Sequence, residues 1–329
     1  MKMALIGSWL GDAGHVCKQQ DRRESRAVGL ECKEGRGMTY DLIDKLDDAI
    51  ASHTPRRIPL AAQLWTVADV AECLSCSTDH HGLAFTDVAC HNERMDHPLR
   101  WRCWPRRIFV NRMSDLFHQD VPNEFIDKVF AVMALAPWHT FQVLTKRPER
   151  MRDYLSDRFV TDGIEEQMIA LLARHPDLEP RQKIYPLPNV WLGVSVEDQD
   201  SADARIPLLL RTPAAVRWIS AEPLLGPVDL MQLDDHSRGG LTIYGWNCLY
   251  RNPTFGRPGI DWVVVGGESG PNARPMHPDW VRSLRDQCAD SGVPFLFKQW
   301  GEWGADGKKR SKKKNGRMLD DVQHDGYPA

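Results

Sequence analysis

Six short apolar runs in this chain each give way to residues that can carry charge or hydrogen-bond. RIFVN ends at Asn111, with Ser114 and Asp115 just beyond. TFQVLT leads into Lys146 and Arg147, and NVWLGVSV holds Ser195 and leads into Glu197 and Asp198. VRWISA holds Ser220 and gives way to Glu222; DWVVVG opens into Gly266, Gly267, Glu268 and Ser269; PFLFK ends at Lys298, before Gln299 and Trp300. Glutamates and lysines gathered in one place can set one another's protonation, act as acid and base, or hold a substrate's amine and its carboxylate or phosphate. Lys146, Glu197, Glu222, Glu268 and Lys298 are therefore the candidate catalytic residues. Asn111, Ser114, Asp115, Ser195, Gly266 and Gly267 are the candidate cofactor-binding residues, the glycines because they allow close approach to the backbone. Any one of these residues reads equally well as part of a structural salt-bridge network. Their recurrence after every run is what points to a site. The Gly266-Gly267-Glu268-Ser269-Gly270 turn has neither dinucleotide-binding spacing nor the Gly-Lys-Ser/Thr of a phosphate loop.

To bring these residues together, the runs must lie side by side. All are rich in β-branched and aromatic residues and apolar on both faces, which suits buried parallel strands over Arg107–Asn111, Thr140–Thr145, Asn189–Val196, Val216–Ala221, Asp261–Gly266 and Pro294–Lys298. Helices are predicted between several of them. Pro122–Ala136 carries Phe125, Val129, Val132 and Met133 at helical spacing, and Pro278–Ser291 puts Val281, Leu284 and Cys288 on one face before Gly292. Ser201–Leu210 and Glu165–Arg174 are two more. Alternating strands and helices imply parallel pairing with right-handed crossovers. The predicted fold is α/β: a partial or closed parallel barrel, TIM-like, with a doubly wound open sheet as the alternative. In either, ligands bind at the carboxyl ends of the strands, where every candidate residue falls.

The chain has 329 residues, a formal net charge of -3, and 26% charged and 42% hydrophobic residues, an ordinary globular composition. That balance gives no global electrostatic case for nucleic acid. No apolar run approaches the roughly 18 residues needed to span a bilayer, and the opening segment lacks the layout of a secretory signal. With 8 scattered cysteines and no signal segment, reduced thiols in a cytoplasmic setting are expected.

Three regions follow: residues 1–97, irregular and polar; 98–304, the barrel-like domain; and 305–329, a basic polar tail. In the first, Cys73 and Cys76 form a zinc half-site, with His80, His81, Cys90 and His91 nearby, though no second regularly spaced pair completes it. The same stretch, residues 64–77, also reads as the start of a helix-turn-helix, with Thr66 as cap and Val67, Val70, Ala71 and Leu74 as its apolar face. The recognition helix that should follow is replaced by His80, His81 and Gly82. In the tail, Lys308, Lys309, Arg310, Lys312, Lys313 and Lys314 form a run that contacts phosphate backbones in some proteins and is a solvated loop in most.

The stretches from FVNRMSDLFHQDVPNEF through TFQVLTKRPERM, from PNVWLGVSVEDQDSADARIPLLL through VRWISAEPLLGPVDL, and from DWVVVGGESGPNARPMHPDW through PFLFKQWGEW carry a resemblance. From about Pro98 to the C-terminus the chain resembles a bacteriophage protein family of unknown function named after gene products thirty-seven and sixty-eight. Members look like radical S-adenosylmethionine proteins with a partial α/β barrel. The resemblance implies S-adenosylmethionine as cosubstrate, cleaved reductively at a [4Fe-4S] iron–sulfur cluster held by three thiolates. The family's three-cysteine motif is not present: no Cys-x3-Cys-x2-Cys or Cys-x6-Cys-x2-Cys triplet occurs, and Ser77 rather than an aromatic residue follows Cys76. Three functional readings stand open: a radical-S-adenosylmethionine-like enzyme acting on a nucleic acid or nucleotide, a non-catalytic barrel that binds a ligand or partner, and a DNA-binding regulator using the N-terminal region.

Overall fold

A computed structural model of the protein describes residues 5–6, 9–11, 88–102, 104–111, 114–179, 185–238, 241–252, 254 and 256–328. Its main elements are β1 (Trp9–Gly11), β2 (Arg107–Val110), α1 (Asn123–Leu135), β3 (Thr140–Thr145), α2 (Pro148–Ser156), α3 (Val160–Arg174), β4 (Val190–Ser195), α4 (Gln199–Arg211), β5 (Val216–Ala221), β6 (Leu233–Arg238), β7 (Leu241–Trp246), β8 (Trp262–Gly266), α5 (Pro278–Ser291) and β9 (Phe295–Gln299). The Cys73 and Cys76 half-site and the 64–77 helix-turn-helix fragment lie outside the described residues.

The main sheet runs in the order β9-β8-β5-β4-β3-β2-β1. Every neighbouring pair from β2 to β9 is parallel, and β1 caps the β2 edge antiparallel. The six parallel strands follow one another in sequence order with no reversal. A doubly wound sheet requires such a reversal at its switch point, so that alternative is set aside. Right-handed crossovers that always step the same way keep to one face and leave the other concave. The result is a half-barrel: a curled mixed α/β sheet, open between its β1 and β9 edges.

Side-chain alternation divides the core accordingly. Ile108, Val110, Phe141, Val143, Leu192, Val194, Ile219, Val263, Val265 and Phe297 face the helices and join one large cluster. Phe109, Leu144, Trp191, Trp218, Trp262, Val264 and Leu296 form a separate cluster on the inner face. There Leu144, Gly193, Trp218 and Trp262 stand in register across four strands. A Cβ on Gly193 would lie 2.5 Å from the Trp218 ring, so this glycine makes room for the indole.

Two connections differ from the sequence expectation. The β5-to-β8 crossover contains no long helix among its described residues; it uses the antiparallel hairpin β6–β7. The hairpin is fixed to α4 by the Arg211–Asp235 ion pair and by the Asp234 backbone N–H, which donates to the Asp203 carboxylate at 3.0 Å. The closing segment also folds back. Gly326 N–H donates to the Phe295 carbonyl at 2.9 Å, and Phe297 N–H donates to the His324 carbonyl at 3.0 Å. Tyr327 then stacks on Trp262 with ring centroids 4.7 Å apart, while the Arg107 guanidinium lies 4.0 Å from its ring. Because Arg107 is on β2 and Trp262 on β8, Tyr327 plugs the amino-terminal end of the half-barrel. Among the described residues no helix is long and apolar enough to cross a membrane.

Candidate functional site

Alternation also decides what lies above the tryptophan layer. Counting by twos along the inner face, Leu144 leads to Lys146, Gly193 to Ser195 and Glu197, Ser220 to Glu222, and Leu296 to Lys298. The carboxyl ends of the strands therefore carry their polar residues at the same end of the sheet, the mouth of the half-barrel, and ion pairs join them two by two. Lys146 pairs with Glu197, bridging the exits of β3 and β4. Lys298 donates to Glu222 Oε2 at 3.1 Å, bridging β9 and β5. Glu268 is held by Arg274, whose Nε and Nη2 reach its two oxygens at 2.9 and 3.1 Å.

Each acid is positioned locally. Glu197 precedes a capping box that opens α4. Ser201 Oγ accepts from the Glu197 and Asp198 backbone N–H groups at 2.8 and 3.0 Å, and Asp198 accepts from Ser201 N–H at 2.9 Å. The Ser201 hydrogen bonds hold the Asp198 carboxyl below the usual carboxylate range. One helical turn further, Arg205 Nη1 donates to Glu197 Oε2 at 2.7 Å and to the Ser195 carbonyl at 2.8 Å. Glu222 sits where a Cβ on Gly266 would be only 2.2 Å from its Oε1, and it takes a further hydrogen bond from Ser220 Oγ at 3.2 Å. Gly267 answers a different need: a Cβ there would fall 1.9 Å from the Trp300 carbonyl oxygen, so the loops leaving β8 and β9 pack backbone against backbone.

The remaining predicted residues divide by role. Asp115 accepts from Thr145 Oγ1 (2.7 Å), Lys146 N–H (3.0 Å), Arg147 Nη1 (2.8 Å) and Phe117 N–H (3.0 Å). With its oxygens thus engaged, it braces the turn that carries Lys146. Asn111 is buried with φ 57, a left-handed conformation that asparagine tolerates, and its carbonyl accepts from Ser114 N–H at 3.1 Å. Ser114 Oγ is shielded from solvent and makes no hydrogen bond among the described residues. Ser195 is buried beside Ser220 in register on β5.

Arg205 and Arg274 complete the mouth and were not foreseen. The Ser201-to-Arg205 spacing of four residues was a readable signal that both face the same way. Arg274 lies in a Gly/Pro-rich loop without periodicity, so no sequence signal was there to find. The hydrogen-bonded Glu268 carboxylate raises the Arg274 pKa, with a smaller contribution in the same direction from Glu197.

The lysines stand at the surface, with side chains 53% and 54% exposed for Lys146 and Lys298, while Glu197 and Glu222 are 13% and 16% exposed. The lysine ends of these bridges are screened by water while the acids keep further partners in Arg205 and Ser220, so an incoming anion competes for the lysines first. No thiolate joins the mouth among the described residues. Cys248 and Cys288 are buried in the helix-side core, and their thiols are pushed up by burial, Cys288 to about 12. Cys90 is half-buried in a short pairing with Ile6. No group of three His, Cys, Asp or Glu side chains able to hold a metal converges among the described residues. The described residues at the mouth do not fit an iron–sulfur cluster, whose irons are held by thiolates.

Fold and site together define a singly wound α/β half-barrel with a charged mouth at the carboxyl ends of its strands. The chain belongs to the family described as protein of unknown function (DUF5131), whose model matches residues 61–328. That match begins ahead of Pro98, within the region set apart as irregular on sequence grounds. No curated protein and no solved structure matches the chain.

Proposed function

We propose that the mouth binds a small zwitterionic molecule, and that S-adenosylmethionine, the molecule implied by the resemblance to radical S-adenosylmethionine proteins, is that ligand. The observation that supports this most directly is the pair of lysine–glutamate bridges, Lys146–Glu197 and Lys298–Glu222, set on the same face of neighbouring exits. An amino-acid moiety carries the complementary charges: its carboxylate pairs with Lys146 or Lys298, and its ammonium with Glu222 or Glu197. Leu144, Val264 and Leu296, on the inner face beneath, offer apolar surface to the rest of the molecule. Such a site binds whether or not chemistry follows, and radical chemistry requires thiolates from outside the described residues.

Calorimetric titration of S-adenosylmethionine into the full-length protein tests the reading. Saturable binding is expected, weakened at least tenfold by Lys146→Ala and by Glu222→Gln. Wild-type protein that takes up no S-adenosylmethionine overturns it. Iron and sulfide analysis after anaerobic reconstitution decides separately whether a cluster is held at all.

A further inference from the structure

The basic run of the closing segment is seated beside the mouth. Trp303 Nε1 donates to the Ala273 carbonyl at 2.7 Å, and Lys309 Nζ donates to the Pro271 carbonyl at 2.6 Å. Glu302 N–H donates to the Glu268 carbonyl at 3.0 Å, and Arg310 N–H donates to the Glu302 carbonyl at 2.8 Å. The loop that carries the lysines thus adjoins the loop that carries Glu268 and Arg274.

It is also held in shape. Trp303 and Lys309 form a bridge, and Gly304 N–H donates to the Lys308 carbonyl at 3.0 Å. Asn315 Nδ2 donates to the Gly301 carbonyl at 2.9 Å. Arg310 forks onto Asp306 at 2.8 and 2.5 Å, so the one acid of residues 305–316 is already matched within the loop. Lys308, Lys313 and Lys314 are exposed, and Lys312 begins a single turn ending at Asn315. Lysines fixed on an ordered loop lose less freedom on binding than those of a floppy tail. In a chain of net charge -3, this concentration of positive charge marks one place on the rim for a polyanion.

We infer that the loop Lys308–Lys314 is a phosphate-backbone rail that brings a single-stranded nucleic acid to the mouth. Its role as a delivery surface rests on the mouth being the ligand site. A single strand is favoured because a base stacked in a duplex must first leave its stack before its edge can meet side chains at the mouth, at a cost of a few kcal/mol.

The test is fluorescence anisotropy of a labelled single-stranded oligonucleotide with full-length protein over a salt series. Each phosphate contact contributes about 0.7 to the salt slope for single strands. The triple variant Lys308→Ala, Lys313→Ala, Lys314→Ala is expected to bind at least tenfold more weakly, with a slope shallower by about 2. Replacing the same three lysines by arginine is expected to restore both, which separates charge from folding. Equal binding by wild type and the alanine triple overturns the proposal, as does displacement by polyglutamate as effective as by unlabelled oligonucleotide. The alanine triple is expected to keep wild-type titration with S-adenosylmethionine. Oligonucleotide binding with the stated slope but no S-adenosylmethionine uptake would remove the ligand reading and with it the delivery role, keeping only the nucleic-acid rail; uptake without salt-dependent oligonucleotide binding would remove the rail alone.

Discussion

The two ends of the one parallel sheet are built on opposite principles. At the amino-terminal end Trp191, Trp218, Trp262 and Tyr327 pack edge and face, with Trp218 and Trp262 centroids 5.4 Å apart, and Trp262 Nε1 donates to the Gly326 carbonyl at 2.7 Å. Nearby, His139 is 1% exposed and fully bonded. Its Nδ1 accepts from Arg106 N–H at 3.1 Å, so the neutral ring carries its proton on Nε2, which donates to the Pro98 carbonyl at 3.2 Å. At the carboxyl end, lysines more than half exposed bridge to partly buried glutamates. The lower end gains from burial and fixed hydrogen bonds; the upper end holds lysines open to solvent and able to exchange partners. The contrast teaches that stability and ligand contact are separable along each strand, and substitutions should divide the same way.

The largest effect is expected from Trp218→Ala. Removing a fully buried indole should cost about 3–5 kcal/mol, seen as a lower urea midpoint. Next comes pH. Burial holds His139 at about 4, below its ordinary 6.5. Between these values the unfolded chain binds a proton that the folded one does not. Its contribution, on the order of 3 kcal/mol, is therefore complete above pH 6.5 and lost as pH falls toward 4. Unfolding free energies measured across that window should fall for the wild type and stay flatter for His139→Gln. Gly193→Ala sets a Cβ against the Trp218 ring, and overpacking of this kind costs about 1–3 kcal/mol. A thermal midpoint unchanged from wild type would show that the lower layer yields more easily than its packing implies. The smallest stability change belongs to the mouth: Lys298→Ala should shift unfolding by less than about 1 kcal/mol while weakening ligand binding at least tenfold. A reversal, with large destabilisation and intact binding, would make the upper pairs structural and erase the contrast.

Much of this architecture was readable from residue pattern. The six strands were legible because apolar runs rich in valine, isoleucine and aromatics have no other stable place, and Pro278–Ser291 because apolar residues recur on one helical face up to Gly292. The α2 helix was missed: Pro148–Ser156 is short and charged, with only Met151, Tyr154 and Leu155 to mark a buried side. The β6–β7 hairpin was missed because Ser237, Arg238, Gly239 and Gly240 read as loop and its strands carry charges that only α4 explains. The five candidate catalytic residues were legible as strand-end polar groups, but their pairing was not. Lys146 bridges to Glu197, 51 positions away, and Lys298 to Glu222, 76 away.

Apolar runs and their alternation with helices by themselves determined that these strands are buried and parallel, and period two along each strand fixed which of its end residues share a face, because side-chain direction along a strand is local. Which acid meets which lysine, the monotonic strand order, and the seating of Tyr327 and the basic loop were decided only by the folded chain. Those contacts join segments far apart in sequence, and a local pattern carries no record of what will be brought against it.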